Sequence, residues 1–361
     1  MRIAFLTNDY PNEQAAGATQ GGAGRIAAFQ VRLLQEAGHE VRVWHVPHHW
    51  ATRSVWARLV LHWQDRKARP EIVKQIFEWS PQLLVTHNLT GCGFGTPRAL
   101  QALGIRWLHV LHDVQLFDPS GQIRSSRDFS LWQVVWTWIR KGEFGNPNIV
   151  LSPTEWLLGK HRRHEFFLDG VACEVIPNPA KPYERSDRHI QHPFQLLFVA
   201  GRVSPEKGSR FLARLMTELG DLAQLHVVGS GEGADELRRL GSKVVLHGRL
   251  TEEEVHDLMR QANVLLVPSL IEENQPNVIL EAATHGLPVI ASDKGGISET
   301  MGESGIVCPA GHFPSWIRSI RELQNNEAYY RHVVENMEVI ARHHDEEAYR
   351  QRFLSLVTSN E

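Results

Sequence analysis

Short apolar runs that end in glycine or another turn residue recur along this chain, each separated from the next by a helix-length stretch. RIAFLT (2–7), EVRVWHV, QLLVTH (82–87), RWLHVLH (106–112), NIVLS (148–152) and CEVIP (173–177) lie in the first half. QLLFVAG (195–201), QLHVVGSGEG, KVVLHG, NVLLVPS, LPVIAS and GIVCP lie in the second. Strands joined through helices pair in parallel, so the pattern predicts an α/β chain with two doubly wound, Rossmann-like parallel sheets. Helical periodicity is expected from Ala23 to Gly38, near 55–78 and 96–103, from Lys207 to about Leu219, and throughout the tail from about Phe313 to Ser359. A length of 361 residues suits two domains of about 150 residues each. Between them NPAKPYERSDRHIQHPF (178–194) holds three prolines, many charges and no apolar period, which is linker composition. The expected organisation is a first domain over 1–180, a linker over 181–194, a second domain over 195–340 and a final helix over 341–361. Parallel sheets bind ligands beyond the carboxyl ends of their strands, so two such domains predict a central cleft that holds the chemistry.

The charge balance separates the halves. Residues 1–180 carry 19 Lys+Arg against 15 Asp+Glu (+4) and 181–361 carry 19 against 26 (−7), summing to −3. The basic half reads first as solvated surface charge, with approach to an anionic membrane or acceptor as the alternative. No basic run is interleaved with aromatics, so nucleic acid is not an expected partner. Cys92, Cys173 and Cys308 are odd in number and far apart, which gives neither a disulfide framework nor a zinc site and points to a reducing cytosol. MRIAFLTNDYP runs straight into a strand, and no apolar run reaches the roughly 18 residues of a membrane span. The expected location is cytoplasmic, with peripheral contact at the inner face of a membrane as the variant.

GRVSPEKG (201–208) leaves a strand and opens a helix, placing Arg202 and Lys207 beside helix amides. Two cations at a positive helix end suit a diphosphate whose leaving charge needs stabilising. The chain has no DxD motif, so no metal site is expected. GSGEGA (229–234) matches a dinucleotide fingerprint, yet the next strand ends without the acidic residue that would grip a ribose, and a tight strand-to-helix turn is the better reading. In EENQPNVILEAATHGLPVIASDKGG (272–296), Pro276 suits a first helical turn, leaving Glu273 in the loop before the helix and Glu281 within it. The amides of Asn277, Val278 and Ile279 would then meet a phosphate while the two carboxylates accept from hydroxyls. LWQVVWTWIRKG (131–142) places Trp132 and Trp136 on one helical face and Trp138 off it, readable as a bilayer contact or as core packing.

The ordered series GRxxxxKG, VVGSGEG, HGRL, ANVLLVPS and E-x7-E followed by EAATHGLPVIASDKGGISE resembles the carboxyl-terminal half of the glycosyltransferases of family 4, which have the GT-B fold. TQGGAG, AGHEVRV, THNLTG, VLHDVQLFDP, LSPTEW and VIPNP resemble the family's first half in order, and HHDEEAYRQRFLSLV resembles its last helix, which crosses back to the first domain. The resemblance implies a retaining, metal-independent transfer from a UDP- or GDP-linked sugar to a glycan or glycolipid acceptor, with no cofactor, in polysaccharide or glycolipid biosynthesis. It implies that Arg202 and Lys207 hold the diphosphate, Glu281 the ribose, and Glu273 and His112 the donor sugar. Gly21 and Gly22 would form the glycine loop, and Arg249 would lie beside the base. The family's Glu-Gly-Phe-Pro reads Glu273-Asn274-Gln275-Pro276 here, so Asn274 and Gln275 are candidates for choosing the hexose. Other readings of the same residues are a nucleotide-sugar 2-epimerase of the same fold, an NAD-dependent oxidoreductase built on GSGEGA, and a non-catalytic sugar-nucleotide-binding subunit.

Overall fold

The computed structural model describes residues 1–11, 22–46, 55–121, 123, 130–168, 170–184 and 187–359. They form two compact units, one of described residues 1–176 and 350–359, the other of 177–349.

In the first unit β1 (Arg2–Thr7), β2 (Glu40–His45), β3 (Leu83–Thr86), β4 (Arg106–Val110), β5 (Ile149–Ser152) and β6 (Ala172–Val175) form a parallel sheet in the order β2-β1-β3-β4-β5-β6. In the second, β7 (Phe194–Arg202), β8 (Ala223–Ser230), β9 (Val244–Gly248), β10 (Val264–Val267), β11 (Val289–Ser292) and β12 (Ile306–Cys308) are ordered β12-β11-β10-β7-β8-β9, again parallel. β3, β5, β10 and β11 are buried at every position, because helices cover both faces of a parallel sheet. The edge strands β2 and β6 are only partly covered, and the charges within EVRVWH sit at its exposed and half-buried positions.

Strand order reverses between β1 and β3 in the first unit and between β7 and β10 in the second. At such a switch point the loops leaving two neighbouring strands diverge to opposite faces and open a crevice at the strands' carboxyl ends. Those loops are residues 8–11 and 87–95 in one unit and 203–208 and 268–276 in the other.

The segment near 55–78 is two helices, Val55–Gln64 and Pro70–Trp79, and not one. Pro70 at the first turn of the second helix holds Arg69 extended and separates the two. In the turn between them Asp65 is 2% exposed, its carboxylate accepting from the Gly91 and Gly93 amides at 2.7 and 2.8 Å. The tail is three helices, Phe313–Asn325, Glu327–His343 and Glu346–Thr358. Residues of the proline-rich stretch are fastened to the second unit: Ala180 N–H donates to His344 at 2.7 Å, Glu184 N–H to Thr284 at 2.7 Å, and Arg188 to the Met259 and Ala262 carbonyls at 2.6 Å. Within the first unit Arg350 reaches Glu36 at 2.8 Å and Arg352 donates to the Val175 carbonyl at 3.0 Å.

Candidate functional site

At the switch point of the second unit the turn after β7 meets the loop after β10. Gly208 has φ +94°, and a Cβ there would stand 2.4 Å from the Pro268 carbonyl oxygen. Only glycine allows that approach. Leu270 N–H donates to the Glu206 carbonyl at 2.8 Å, so the two loops are also bonded. Their closeness delivers Lys207 Nζ to Glu273 Oε1, an oxygen that also accepts from the Ser269 hydroxyl. Glu273 is held from its other side as well. Gly296 N–H donates to its carbonyl at 2.8 Å, and Gly295, at φ +66°, has no room for a Cβ, which would lie 2.0 Å from that same oxygen.

Three residues on, helix Asn277–Thr284 begins with Pro276 as its N-cap and no side-chain cap. The Asn277 and Val278 amides lie at its positive end, and Glu281 follows in the next turn, partly exposed. The Ile279 amide departs from expectation: it donates to the Pro276 carbonyl at 3.0 Å, and its side chain is fully buried, so it is not a phosphate donor. Gln275 departs too. It is 8% exposed and its Oε1 accepts from the Asn178 amide at 2.7 Å, so it fastens the chain entering this unit instead of facing a sugar. Asn274 is half-buried in the loop.

Arg202 and Arg249 both reach the turn after β8. Arg202 makes a two-point contact with Glu232, at 3.0 and 3.3 Å, and Arg249 Nε donates to Ser230 Oγ at 3.1 Å. Arg202 and Lys207 are thus brought to one end of the sheet but paired with different carboxylates. The glycines of GSGEGA have packing reasons: a Cβ on Gly229 would lie 1.8 Å from the Ala200 carbonyl oxygen, on Gly231 2.3 Å from that of Val203, and on Gly233 2.3 Å from Ser209 Oγ. Sequence reasoning missed Glu232, Ser269 and Asn178. Their signals were present, as the acidic residue inside the glycine turn, the hydroxyl four residues before Glu273, and the asparagine of VIPNP.

In the first unit Gly22 opens helix Gly22–Glu36, while Gly21 lies outside the described residues. The fit of this turn concerns Gly24, whose amide donates to Asp9 Oδ2 at 3.0 Å and whose added Cβ would lie 2.7 Å from Oδ1. His112 follows β4. Its Nε2 stands 2.7 Å from His87 Nδ1, and burial pushes its pKa down to about 4, so the ring is neutral near pH 7. Asp113 beside it is raised to about 7 by burial, against the opposing pull of the Gln115 amide at 2.8 Å.

The tryptophan-rich segment is helix Leu131–Phe144, started by a Ser130–Gln133 capping box. Its polarity is reversed from that of an ordinary surface helix. Gln133, Trp136, Thr137 and Arg140 face inward, while Leu131 (83% exposed), Val134, Val135 and Trp138 (78%) face outward. Trp136 is therefore core and Trp138 surface, and the Trp132 side chain lies outside the described residues. Arg140 is wholly buried, its guanidinium over the Phe94 ring at 3.3 Å and the Trp136 ring at 4.5 Å. Burial lowers its pKa to about 9. Among the described residues no helix is long and apolar enough to cross a membrane.

Residues 194–326 match the family model described as Glycosyl transferases group 1. The chain is 30% identical over 284 residues to the 2-deoxystreptamine glucosyltransferase of Streptomyces kanamyceticus, covering 72% of this chain and 73% of that one. It is 29% identical over 175 residues to the lipopolysaccharide 1,2-N-acetylglucosaminetransferase of Salmonella typhimurium, covering 42% of this chain and under half, 45%, of that relative. Its backbone superposes on that of Anabaena HepE, solved in complex with UDP, with a TM-score of 0.70 at 17% identity over 99% of this chain and 100% of that one. The two six-stranded parallel sheets with their flanking helices make this a GT-B fold.

Proposed function

This chain belongs to the group 1 glycosyltransferases, and we propose that it transfers a sugar from a UDP- or GDP-linked donor to a hydroxyl of a glycan or glycolipid, retaining anomeric configuration without a metal ion. The observation that carries this reading is the seating of Lys207, against Glu273 and Ser269, at the switch point from which helix Asn277–Thr284 starts. When the bond from the anomeric carbon to the diphosphate breaks, the electron pair stays on the leaving oxygen. Lys207, Arg202 and the Asn277 and Val278 amides are the groups of this chain that stabilise that charge. Their fixed positions reduce reorganisation at the moment of transfer. Glu281 accepts from the ribose hydroxyls, Glu273 from a hydroxyl of the sugar, and Arg249 lies at the base. Neutral His112 contributes a hydrogen bond to the sugar rather than a charge.

No cofactor is needed in this scheme. The acceptor reading, surface polysaccharide or glycolipid, draws on the activity of the Salmonella relative, a lipopolysaccharide N-acetylglucosaminetransferase, and the UDP in the Anabaena neighbour favours UDP as the nucleotide. A lipid-borne acceptor also fits the outward apolar stripe of helix Leu131–Phe144, in the basic half of the chain, where Val60 and Trp63 of helix Val55–Gln64 are exposed as well. The His62 ring stands edge-on to Trp136 at 5.3 Å, and Arg66, in the turn just past helix Val55–Gln64, bonds Glu143 at 2.9 Å. Such a face binds a bilayer surface with its apolar residues in the headgroup boundary.

The test is thermal stability with UDP, GDP, ADP, CMP and NAD in turn, EDTA present throughout. A ligand at a hundredfold excess over its dissociation constant adds about 2.7 kcal/mol to the native state. A rise in midpoint with one nucleoside diphosphate and none with NAD is expected. A rise with NAD alone, or with a diphosphate only after metal is added back, overturns the reading in its nucleotide or its metal part respectively.

A further inference from the structure

We propose that His87 is a positioning residue that fixes the tautomer of His112, donating its Nδ1 proton to His112 Nε2 and so keeping the His112 proton on Nδ1. His87 follows β3 and His112 follows β4, strands that are neighbours in the sheet. The two nitrogens are 2.7 Å apart, and the ring planes differ by 19°. The ring centroids are 5.0 Å apart, about the N···N distance plus a ring radius on either side. The rings therefore lie nearly end to end in one plane, the arrangement of an in-plane N–H···N bond rather than of a face-to-face stack.

One proton sits between the two nitrogens, and the surroundings of His87 decide whose it is. His87 is fully buried and packs against Phe5, with ring centroids 5.7 Å apart. Its Nε2 has no hydrogen-bond partner. The nearby hydroxyl of Thr86 is already engaged, by His109 Nδ1 at 2.7 Å and by the Trp107 indole N–H at 2.8 Å. If His112 were the donor, the proton of neutral His87 would be on Nε2, as a buried N–H with nothing to accept it. Orphaned N–H groups of that kind are rare in folded proteins. With His87 as donor, its Nε2 is left bare and no N–H is orphaned. Burial depresses both histidines and keeps each neutral, so neither can supply a second proton.

The consequence for His112 is directional. Its Nε2 is occupied as an acceptor, so the nitrogen through which it can donate is Nδ1. The importance of this for transfer rests on the nucleotide-sugar reading above; the proton assignment does not. A neutral imidazole locked in the Nδ1–H form presents a donor, not an acceptor, on the side away from His87.

The assignment is tested on the full chain, labelled with 15N-histidine, by two-bond 1H–15N correlation at neutral pH, with His112 identified from the spectrum of His112→Gln. His112 is expected to show a protonated Nδ1 and a bare Nε2. His87→Phe removes the donor and should return His112 to the Nε2–H form that free imidazoles favour, whereas His87→Asn, whose amide N–H stands in for Nδ1–H, should keep the Nδ1–H form. An Nε2–H signal for His112 in the unsubstituted chain, or the same tautomer in folded His87→Phe, overturns the proposal. If His87→Phe does not fold, the unsubstituted chain and His87→Asn still decide it. Turnover of UDP-glucose and GDP-mannose is read in parallel. Unimpaired transfer by His112→Gln, with the tautomers as expected, would sink the role given to His112 and leave the His87 assignment standing.

Discussion

On the proposed reading Lys207 serves two anions in turn. Without ligand it bonds Glu273, which also takes the Ser269 hydroxyl, and a diphosphate has to compete with that carboxylate. Lys207→Ala should therefore lower kcat by about 100- to 1,000-fold, the cost of about 2.7–4 kcal/mol typical for one preorganised charge stabiliser. Glu273→Gln should do something less intuitive. It removes the competing charge, so calorimetric titration should show UDP or GDP binding several-fold more tightly while sugar transfer falls, because the carboxylate that accepts from the sugar is gone. Weaker binding in Glu273→Gln would show that the carboxylate orders Lys207 for the phosphate instead of competing for it. Gln275 provides the contrast within the same tetrapeptide. Its partner is the buried Asn178 amide at 2.7 Å, so Gln275→Ala should cost about 1–3 kcal/mol of stability through an orphaned donor. The preference among donor sugars should stay as it was, and a changed preference would return Gln275 to the sugar-facing role its place in the motif suggested.

Helix Leu131–Phe144 shows how an element's period and its orientation are separate questions. Its residues repeat at helical spacing, which a sequence reader detects, but both faces carry tryptophan, and period alone does not say which face is inward. Packing answers it: Trp136 donates its indole N–H to the Gln115 carbonyl at 3.2 Å and covers Arg140, leaving Trp138 outside. Substituting Leu131 and Trp138 together by serine should cut sedimentation with anionic vesicles several-fold. The thermal midpoint should move little, since exposed side chains contribute within about 0.5 kcal/mol. Undiminished vesicle binding would mean that this stripe is not the membrane face. The strands and most helices were legible because burial on both sides of a parallel sheet forces continuous apolar runs, and glycine marks their ends. The break between Gln64 and Pro70 was legible in principle, since Pro70 opens the second helix and holds Arg69 extended; the burial of Asp65 on the Gly91 and Gly93 amides, distant in sequence, was not. The same holds at the site. Arg202, Lys207, Glu273 and Glu281 are marked as candidates by spacing, and Glu232 and Asn178 carried signals without named partners, whereas the pairing of His87 with His112 exists only in the folded chain.

Across the whole molecule the titrating groups with the largest effect are buried histidines. Burial lowers His109 to about 3 and His112 and His161 to about 4 in the first unit, and His285 and His344 to about 4 in the second. In the unfolded chain each has a pKa near 6.5. Between pH 6.5 and 4 the unfolded state therefore binds more protons than the native one, so stability falls as pH falls through this window. In mid-window the slope approaches about 1.4 kcal/mol per pH unit for each such histidine. Asp113, raised to about 7, acts the other way, because the native state holds its proton over a range where the unfolded chain has lost it. His87 is also held well below its ordinary value by burial, and Asp65, like Asp113, is raised by it. These six depressed histidines against two raised carboxyls leave the histidines in control, so the thermal midpoint should already decline between pH 6.5 and 5. Were paired carboxylates in control, the decline would begin only near their own pKa values, about 4. His161 isolates one share of the effect. It sits among Phe117, Phe166 and Phe167, its Nδ1 on the Leu157 carbonyl at 2.9 Å and its Nε2 unpartnered. His161→Phe can fill that aromatic pocket and cannot titrate, so its stability profile should be flatter than that of the unsubstituted chain from pH 6.5 to 4. Parallel profiles for the two chains would show that His161 takes up its proton without opening the fold, and that the acid response arises at the other buried histidines.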